Sequence, residues 1–216
     1  MLADNATWIA PALRPSASVN PPSGAPLGLS EHCSFYPAGS EIYAQGEKSG
    51  SLYQVEFGSV RVYRLLADGR RQISAFHLAG EIFGFSADTR HHFFAEAIAG
   101  TSIRTLLPVK GTDVSRQLMP LALGSLMRAQ EHLLVLGRQN AVERVAAFLL
   151  DMADRQGATD RIDLPMSRTD IGDYLGLTIE TVSRAFSKLR EQGIIRLSGV
   201  RRVEIVKGPA LQKMNN

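Results

Sequence analysis

The chain has 216 residues, of which 44% are hydrophobic and 21% charged, and its formal net charge is +3. This composition is that of a globular protein with real cores, and no apolar run is long enough for a helical membrane span. Its one cysteine, Cys33, excludes an internal disulfide and a cluster bound by several of its own thiolates. We therefore expect a cytoplasmic protein with no membrane partner.

Positive charge is unevenly distributed along the chain. Lys and Arg number 11 against 11 Asp and Glu in residues 1–137, but 13 against 10 in residues 138–216. Because attraction to phosphates needs a local excess of charge, this distribution points to a polyanionic partner for the C-terminal part.

Residues 1–28 are predicted to form a flexible tail because Pro, Ala, Ser and Gly dominate them. Residues 29–113 instead alternate apolar and polar positions, with glycine-containing breaks at roughly 8- to 12-residue intervals. Such regular short strands predict an antiparallel jelly-roll β-barrel. The Asp68-Gly69 pair between two of these strands predicts a hairpin with a type I′ turn, since that turn needs positive φ at both central residues.

Residues 114–137 change to a helical pattern whose apolar side chains are spaced alternately three and four apart. The positions of this heptad seam are Met119, Ala122, Leu126, Ala129, Leu133 and Leu136. A seam of this kind predicts a helix that pairs with a second copy in a homodimer. A second stripe beside it, at Leu123, Met127 and Leu134, would pack on the chain's own barrel. The alternative is a single wide stripe that faces the core.

Within the last predicted domain, residues 138–216, the segment 167–193 predicts two helices joined by a tight turn. That turn falls at Gly176, where a residue without Cβ is favoured. Gly172 would leave room for the second helix to cross closely, and Val182 would fill the space between the helices. A small residue, a turn glycine and a buried β-branched residue in this order predict a DNA-binding helix-turn-helix.

The second of these helices carries the candidate base-reading residues. Thr178 is a preferred N-cap residue, so the helix is predicted to begin at Ile179. The base-reading candidates on its outer face are Ile179, Glu180, Ser183 and Arg184. Arg184 can donate twice to guanine O6 and N7, and Glu180 can accept from the N4 amino group of cytosine. The alternative is a surface salt bridge, because residues at i and i+4 are neighbours on a helix.

Other polar and basic side chains are candidates for contacts with the DNA backbone. The predicted phosphate-binding residues are Ser167, Arg168, Thr169, Ser187, Lys188 and Arg190. Beyond Gly193, two strands with a turn at Ser198-Gly199 predict a wing. Arg201 and Arg202 on this wing either approach the DNA backbone or lie on a solvated strand edge.

These residues carry a resemblance to a known family. The run MSRTDIGDYLGLTIETVSRAFSKL is similar to the DNA-binding signature of the Crp/Fnr superfamily, and the likeness extends over nearly the whole chain from residue 35. The spacing of Glu180, Ser183 and Arg184 resembles the Fnr and FixK branches, which recognise TTGA-type half-sites in a palindrome. The resemblance implies an α+β fold: a cyclic-nucleotide-binding-like jelly-roll barrel, a long dimerisation helix and a C-terminal winged helix-turn-helix.

The resemblance also bears on a ligand for the barrel. Cyclic-AMP receptors of the superfamily use a Gly-Glu pair for the ribose and, about ten residues on, an Arg-Ser pair for the phosphate. This chain has Gly80-Glu81 but carries His91-His92 at the second place, where a cyclic phosphate would lose its main charge-assisted bonds. The cluster of an oxygen-sensing Fnr protein needs four cysteines. Adjacent strand histidines point to opposite faces, which spoils shared metal ligation. We expect no cofactor and no metal.

The sequence thus predicts a homodimeric regulator of the FixK type, mainly an activator, that binds a palindrome in double-stranded DNA, contacts RNA polymerase and needs no effector. The resemblance implies control of genes for low-oxygen respiration, denitrification and nitrogen fixation. The alternative is a receptor gated by a cyclic nucleotide or another small ligand. An enzyme of the cupin type is a third reading, but we expect no catalytic residue. A cysteine in place of Ser183 would be an oxidant switch, so we expect this chain to be insensitive to oxidation.

Overall fold

The structure is a computed structural model that describes residues 29–108, 115–138, 140–158 and 160–214. It has the predicted α+β fold: a β-barrel, then a long helix, then a helix-turn-helix with its own small sheet. The tail predicted for residues 1–28 lies outside the described residues.

Eight strands build the barrel as two four-stranded antiparallel sheets. Their bounds are Leu29–Tyr36 (β1), Glu41–Tyr43 (β2), Leu52–Phe57 (β3), Ser59–Leu65 (β4), Arg71–Leu78 (β5), Ile82–Phe83 (β6), Phe94–Ala97 (β7) and Thr101–Pro108 (β8). The strand orders are β1-β8-β3-β6 and β2-β7-β4-β5. Val55 and Ile103 from the first sheet and Val60 and Ala95 from the second are fully buried together. The two sheets therefore pack face to face around an apolar core, as in a jelly roll.

The hairpin between β4 and β5 differs from the predicted type I′ turn. The amide of Gly69 donates to the carbonyl of Leu66 at 2.9 Å, and the amide of Leu66 donates to the carbonyl of Arg70 at 2.8 Å. Gly69 has a φ of +82°, whereas Asp68 keeps a negative φ. Only the last loop residue is therefore left-handed, which is a type I turn followed by a G1 bulge. The prediction was wrong because the loop includes Ala67 and is one residue longer than the Asp-Gly pair suggests.

Helix α1 (Ser115–Leu136) packs on the barrel through Leu118 and Leu121. The stripe that was predicted to make this contact is exposed instead, at Leu123, Met127 and Leu134. That prediction was wrong because the inward side of α1 also carries polar residues, and a search for apolar spacing passes over them. One of these is His132, whose ring stacks on Tyr174 with 3.8 Å between the ring centroids.

The C-terminal part is a winged helix-turn-helix. Its elements are α2 (Ala141–Arg155), β9 (Arg161–Asp163), α3 (Arg168–Leu175), α4 (Ile179–Glu191), β10 (Ile195–Leu197), β11 (Arg202–Ile205) and α5 (Gly208–Lys213). The three strands pair antiparallel in the order β10-β11-β9. Within the described ranges, no helix combines the length and the hydropathy that a membrane crossing requires.

One apolar core joins the barrel to the helix-turn-helix. Ile73, Phe76 and Leu78 of β5 belong to the same cluster as the buried side chains of α2, α3 and α4. Phe76 packs on Tyr174 of α3, with 5.1 Å between the ring centroids. The helix-turn-helix is therefore held against the barrel and does not hang on a free linker.

Candidate nucleic-acid interface

The turn between α3 and α4 has the local geometry that the sequence predicts. Gly176 closes α3 in the left-handed region with φ +65° and ψ +38°, and its amide donates to the carbonyl of Gly172. Thr178 caps α4 because its hydroxyl accepts from the amide of Thr181 at 3.3 Å. Helix α4 accordingly begins at Ile179, as predicted.

Gly172 is needed for a slightly different reason from the one predicted. A Cβ at this position would lie 2.6 Å from the carbonyl oxygen of Leu177, which belongs to the connecting turn and not to α4. The amide of Leu177 also donates to the carbonyl of Gly172 at 3.0 Å. Val182 is fully buried, as the prediction that it fills the space between the helices requires. The small residue therefore lets the turn close tightly onto α3.

The four base-reading candidates lie on the outer face of α4, and all four are exposed: Ile179, Glu180, Ser183 and Arg184. Arg184 Nη2 donates to the Thr181 hydroxyl at 3.4 Å, a long bond, and among the described residues no ion pair joins Arg184 to Glu180. The pKa of Glu180 is lowered by its own backbone amide, by the Thr178 hydroxyl and by the charge of Arg184. Glu180 is therefore ionised at neutral pH.

The start of α3 is organised by a capping box. The Ser167 hydroxyl accepts from the amide of Asp170 at 3.0 Å and donates to Asp170 Oδ2 at 2.7 Å. The only proton of the Ser167 hydroxyl therefore goes to Asp170 in this structure, and the contact of Ser167 with a phosphate stays a prediction. Thr169 is exposed beside it. The guanidinium of Arg168 lies over the Phe186 ring, 3.2 Å from the centroid, and burial lowers its pKa to about 10.

The remaining backbone candidates lie along α4 and the wing. Lys188 and Arg190 are exposed in the last turns of α4, and Ser187 is half-buried. On the wing, Arg202 Nε pairs with Asp163 Oδ1 at 3.1 Å, and both side chains are largely exposed. Such a pair is weak and gives way readily to a phosphate. Arg201 is exposed as well.

Sequence reasoning missed the residues that hold α3 from outside the helix-turn-helix. Arg61 of β4 and Arg71 of β5 donate to Asp170 Oδ1 at 3.1 and 2.6 Å. The Ser-x-x-Asp spacing of Ser167 and Asp170 is a readable capping signal. However, its arginine partners lie about a hundred positions earlier in the chain, and no local pattern connects them.

The residues at the place of a nucleotide site are engaged in other contacts. Glu81 accepts from Arg155 Nε at 2.9 Å and Nη2 at 2.8 Å, and from the amide of Leu78 at 3.1 Å. Burial alone would raise the pKa of Glu81, but His77 and the charge of Arg155 hold it well below its usual range. His91 is buried against Tyr43, with 3.8 Å between the ring centroids, and burial lowers its pKa. At this site the Glu81 carboxylate is therefore paired with Arg155, and the His91 imidazole is neutral at neutral pH.

Comparisons with known proteins agree with this architecture. Residues 34–107 match the cyclic nucleotide-binding domain family, and residues 143–214 match the Crp-like helix-turn-helix domain family. The nitrogen fixation regulation protein FixK of Rhizobium meliloti is 52% identical over 192 residues, which cover 89% of this chain and 91% of that protein. FixK of Bradyrhizobium diazoefficiens is 39% identical over 200 residues, which cover 86% and 84% of the two chains.

A solved structure is similar over nearly its whole length. The structure of FixK2 from Bradyrhizobium japonicum superposes with a TM-score of 0.82 and 45% identity, covering 87% of this chain and 98% of that one. Both domains, their order and the helix-turn-helix are thus shared with this group of proteins. The chain belongs to the Crp/Fnr superfamily, in which it is a DNA-binding transcription regulator of the FixK type and not an enzyme.

Proposed function

We propose that the chain acts in the cytoplasm as a homodimer that reads a TTGA-type palindrome in double-stranded DNA, without a bound effector and mainly as an activator.

The observation that carries the proposal is the exposed face of α4. Glu180 and Arg184 stand one helical turn apart near its start, where a recognition helix meets base edges. Ser183 lies between them, and the three form the Glu-x-x-Ser-Arg spacing of the branch that reads TTGA-type half-sites. No ion pair occupies Glu180 or Arg184 in the described part of the chain. Arg184 is therefore available to guanine and Glu180 to cytosine.

A dimer through α1 is supported by the exposure of its seam. Met119, Leu126 and Leu133 are 57%, 54% and 66% exposed in the single chain. Ala129 is exposed too, and Ala122 and Leu136 are half-buried. A single wide core-facing stripe would be buried, so this pattern speaks against that alternative. A row of large apolar side chains left in water is typical of an interface with another chain.

Independence from a nucleotide is supported by the contacts of Glu81 and His91. The Glu81 carboxylate, which would have to accept from a ribose hydroxyl, is paired with Arg155 of α2. The neutral His91 offers no positive charge to a cyclic phosphate. Binding of a nucleotide here would therefore have to break a buried ion pair, which is costly.

Three relatives named as nitrogen fixation regulation protein FixK support a role in nitrogen fixation. The resemblance to the FixK branch extends the proposal to genes for low-oxygen respiration and denitrification. An activator of this kind would contact RNA polymerase from the promoter. In this proposal control comes from the amount or the modification of the protein and not from a ligand.

The test is binding of the purified protein to a labelled TTGA palindrome and to a scrambled duplex, each with and without cyclic AMP. We expect specific binding without nucleotide and no change when it is added. Binding that appears only with cyclic AMP would overturn the effector-free proposal and favour a ligand-gated receptor. Equal affinity for the palindrome and the scrambled duplex would overturn the proposal that the protein recognises a TTGA-type palindrome.

A further inference from the structure

The Asp170 carboxylate connects the start of α3 to the barrel, because its two oxygens bind different partners. Asp170 Oδ2 closes the capping box with the amide of Ser167 at 3.0 Å and its hydroxyl at 2.7 Å. Asp170 Oδ1 accepts hydrogen bonds from the guanidinium groups of Arg61 and Arg71, which lie on the barrel. The Asp170 side chain is only 4% exposed, so these bonds form out of water and are stronger than a surface pair.

A second carboxylate strengthens the same contact. Arg71 Nε donates to Asp173 Oδ2 at 2.9 Å, so that one guanidinium bridges two aspartates on successive turns of α3. The side-chain amide of Gln72 donates to the backbone carbonyl of Asp173 at 2.7 Å. Glu96 of β7 holds Arg61 from the barrel side at 2.5 Å. Two neighbouring β-strands thus fix both the position and the rotation of α3.

The orientation of α3 determines where α4 points. The two helices share a buried core and the tight turn at Gly176, so they move as one body. A dimer that reads a palindrome must present its two recognition helices at the spacing of the half-sites. Freedom between the barrel and the helix-turn-helix would blur that spacing and weaken specific binding.

We propose that Arg61 and Arg71 of the barrel are positioning residues for DNA readout, which act through Asp170 and Asp173 and never touch DNA. This inference rests on the proposed palindrome-reading dimer. It gives the barrel a role in DNA binding that needs no ligand, because the barrel fixes the orientation of α3 and, through it, of the recognition helix α4. We call the contacts of Arg61 and Arg71 with Asp170 and Asp173 the clamp.

The variant that tests the clamp is Arg71→Ala, since Arg71 is the one residue in the described part of the chain that bridges both aspartates. Its matched control is Arg70→Ala. Arg70 is the next residue, is exposed, and pairs only with Asp68 at 2.7 Å among the described residues. Both variants remove one positive charge at nearly the same place, so long-range attraction to DNA changes equally. Asp170 is left unchanged because it also caps α3.

We expect Arg71→Ala to lower affinity for the palindrome by about tenfold, while Arg70→Ala stays close to the wild type. The decisive readout is a palindrome lengthened by one base pair between its half-sites, which moves them about 3.4 Å further apart. The wild type should lose most of its affinity on this duplex. Arg71→Ala should tolerate the added base pair. The ratio of its affinity for the original palindrome to its affinity for the lengthened one should be about tenfold smaller than in the wild type. Partial unfolding would weaken binding to both duplexes equally and would contradict the proposal.

A double-mutant cycle with Asp173→Asn identifies the partner. If Arg71 acts through Asp173, the two substitutions together should cost less than the product of their separate fold-losses. Fully multiplicative losses, or an unchanged spacer ratio in Arg71→Ala, would overturn the proposal.

A measurement without DNA separates this inference from the proposed function. Spin labels on the exposed Cys33 of β1 and on Ser198→Cys of the wing report the distance between barrel and DNA-binding unit. The distance distribution should broaden in Arg71→Ala and not in Arg70→Ala. A distance distribution that does not broaden in Arg71→Ala would refute the clamp, even if the wild type binds the palindrome specifically. A wild type that does not bind the palindrome specifically would refute the proposed function but not the clamp.

Discussion

Arg184 and Lys188 occupy successive turns of the exposed face of α4, yet their chemistry on DNA should differ. The planar guanidinium of Arg184 matches the two acceptors on the major-groove edge of guanine. Lys188 is a compact point charge further from the helix start, which suits a phosphate. In the proposed complex, Glu180, exposed and ionised beside Arg184, would face a field of phosphates that only a specific acceptor contact makes tolerable. We therefore expect these residues to separate base readout from backbone attraction.

Arg184→Ala should weaken binding to the palindrome by about 1–3 kcal/mol and relax the preference for the guanine it reads. Lys188→Ala should weaken binding to every sequence alike and lower the slope of affinity against salt by about one. Titrations with the palindrome, a guanine-substituted palindrome and a random duplex, at several salt concentrations, distinguish the two. An equal loss for Arg184→Ala on all duplexes would argue against base readout.

At the scale of elements, α1 combines a contact with its own chain and an exposed seam. Leu121 packs with Leu52, Ile82 and Leu106 of the barrel, so the orientation of α1 is set from inside the chain. Fixing that side turns Leu126 and Leu133 outward. A small open groove on the same helix is lined by Arg116, Met119, Pro120 and Leu123. The helix thus has the apolar surface that a second copy would cover.

Leu126→Glu combined with Leu133→Glu should convert the proposed dimer into monomers, because four carboxylates would meet at the seam without partners. Sedimentation velocity should show the mass of one chain, and affinity for the palindrome should fall by more than about a hundredfold, since one recognition helix per molecule remains. Gln117→Glu, exposed on the same helix but about half a turn around from the seam, is the control and should remain a dimer. A double variant that keeps the dimer mass would place the interface elsewhere.

At the scale of the whole molecule, titratable groups lie buried where the barrel, α1 and the helix-turn-helix meet. Burial lowers the pKa of His132 to about 4, although a hydrogen bond with the backbone of Tyr174 opposes this. Burial also lowers the pKa of His77, against the opposing effect of Glu81. Arg155 of α2 pairs across the same junction with Glu81 of the barrel at 2.8 Å, and within α2 with Asp151 at 3.0 Å. The junction therefore combines neutral histidines with an ionised Glu81 carboxylate.

The free energy of unfolding should fall as the pH drops from about 7 toward 4. The folded state keeps the pKa of His132 below its unfolded value of about 6.5, so the unfolded chain binds more protons in this window. The loss from His132 should be at most about 1 kcal/mol at pH 5, allowing for solvent around the half-buried ring. His132→Phe keeps a ring against Tyr174 but cannot titrate, so its melting temperature should change less between pH 7 and pH 5. A His132→Phe variant with unchanged pH dependence would contradict the prediction.

Several features followed from short stretches of sequence because their causes are local. The N-cap at Thr178 needs only a hydroxyl three residues before an amide, and the left-handed turn at Gly176 needs only a missing Cβ. The jelly-roll barrel followed from alternation and turn glycines, whereas the number of its strands came from the structure. The hairpin at Asp68-Gly69 marks the limit of this approach. There, pairing of the flanking strands set a three-residue loop that the dipeptide alone could not indicate.

The two-part architecture, the helix-turn-helix and the exposed outer face of α4 could be predicted from the sequence, since hydrophobic period, capping and turn chemistry act within a few residues. Only the tertiary structure decided which side of α1 faces inward, because polar His132 serves there as a stacking partner for Tyr174. The tertiary structure was also needed to show that Glu81 pairs with Arg155 and that Asp170 pairs with Arg61 and Arg71. Those pairs join residues about 70 to 110 positions apart, and their choice depends on how two domains dock. A charge pattern along one chain carries no record of that docking.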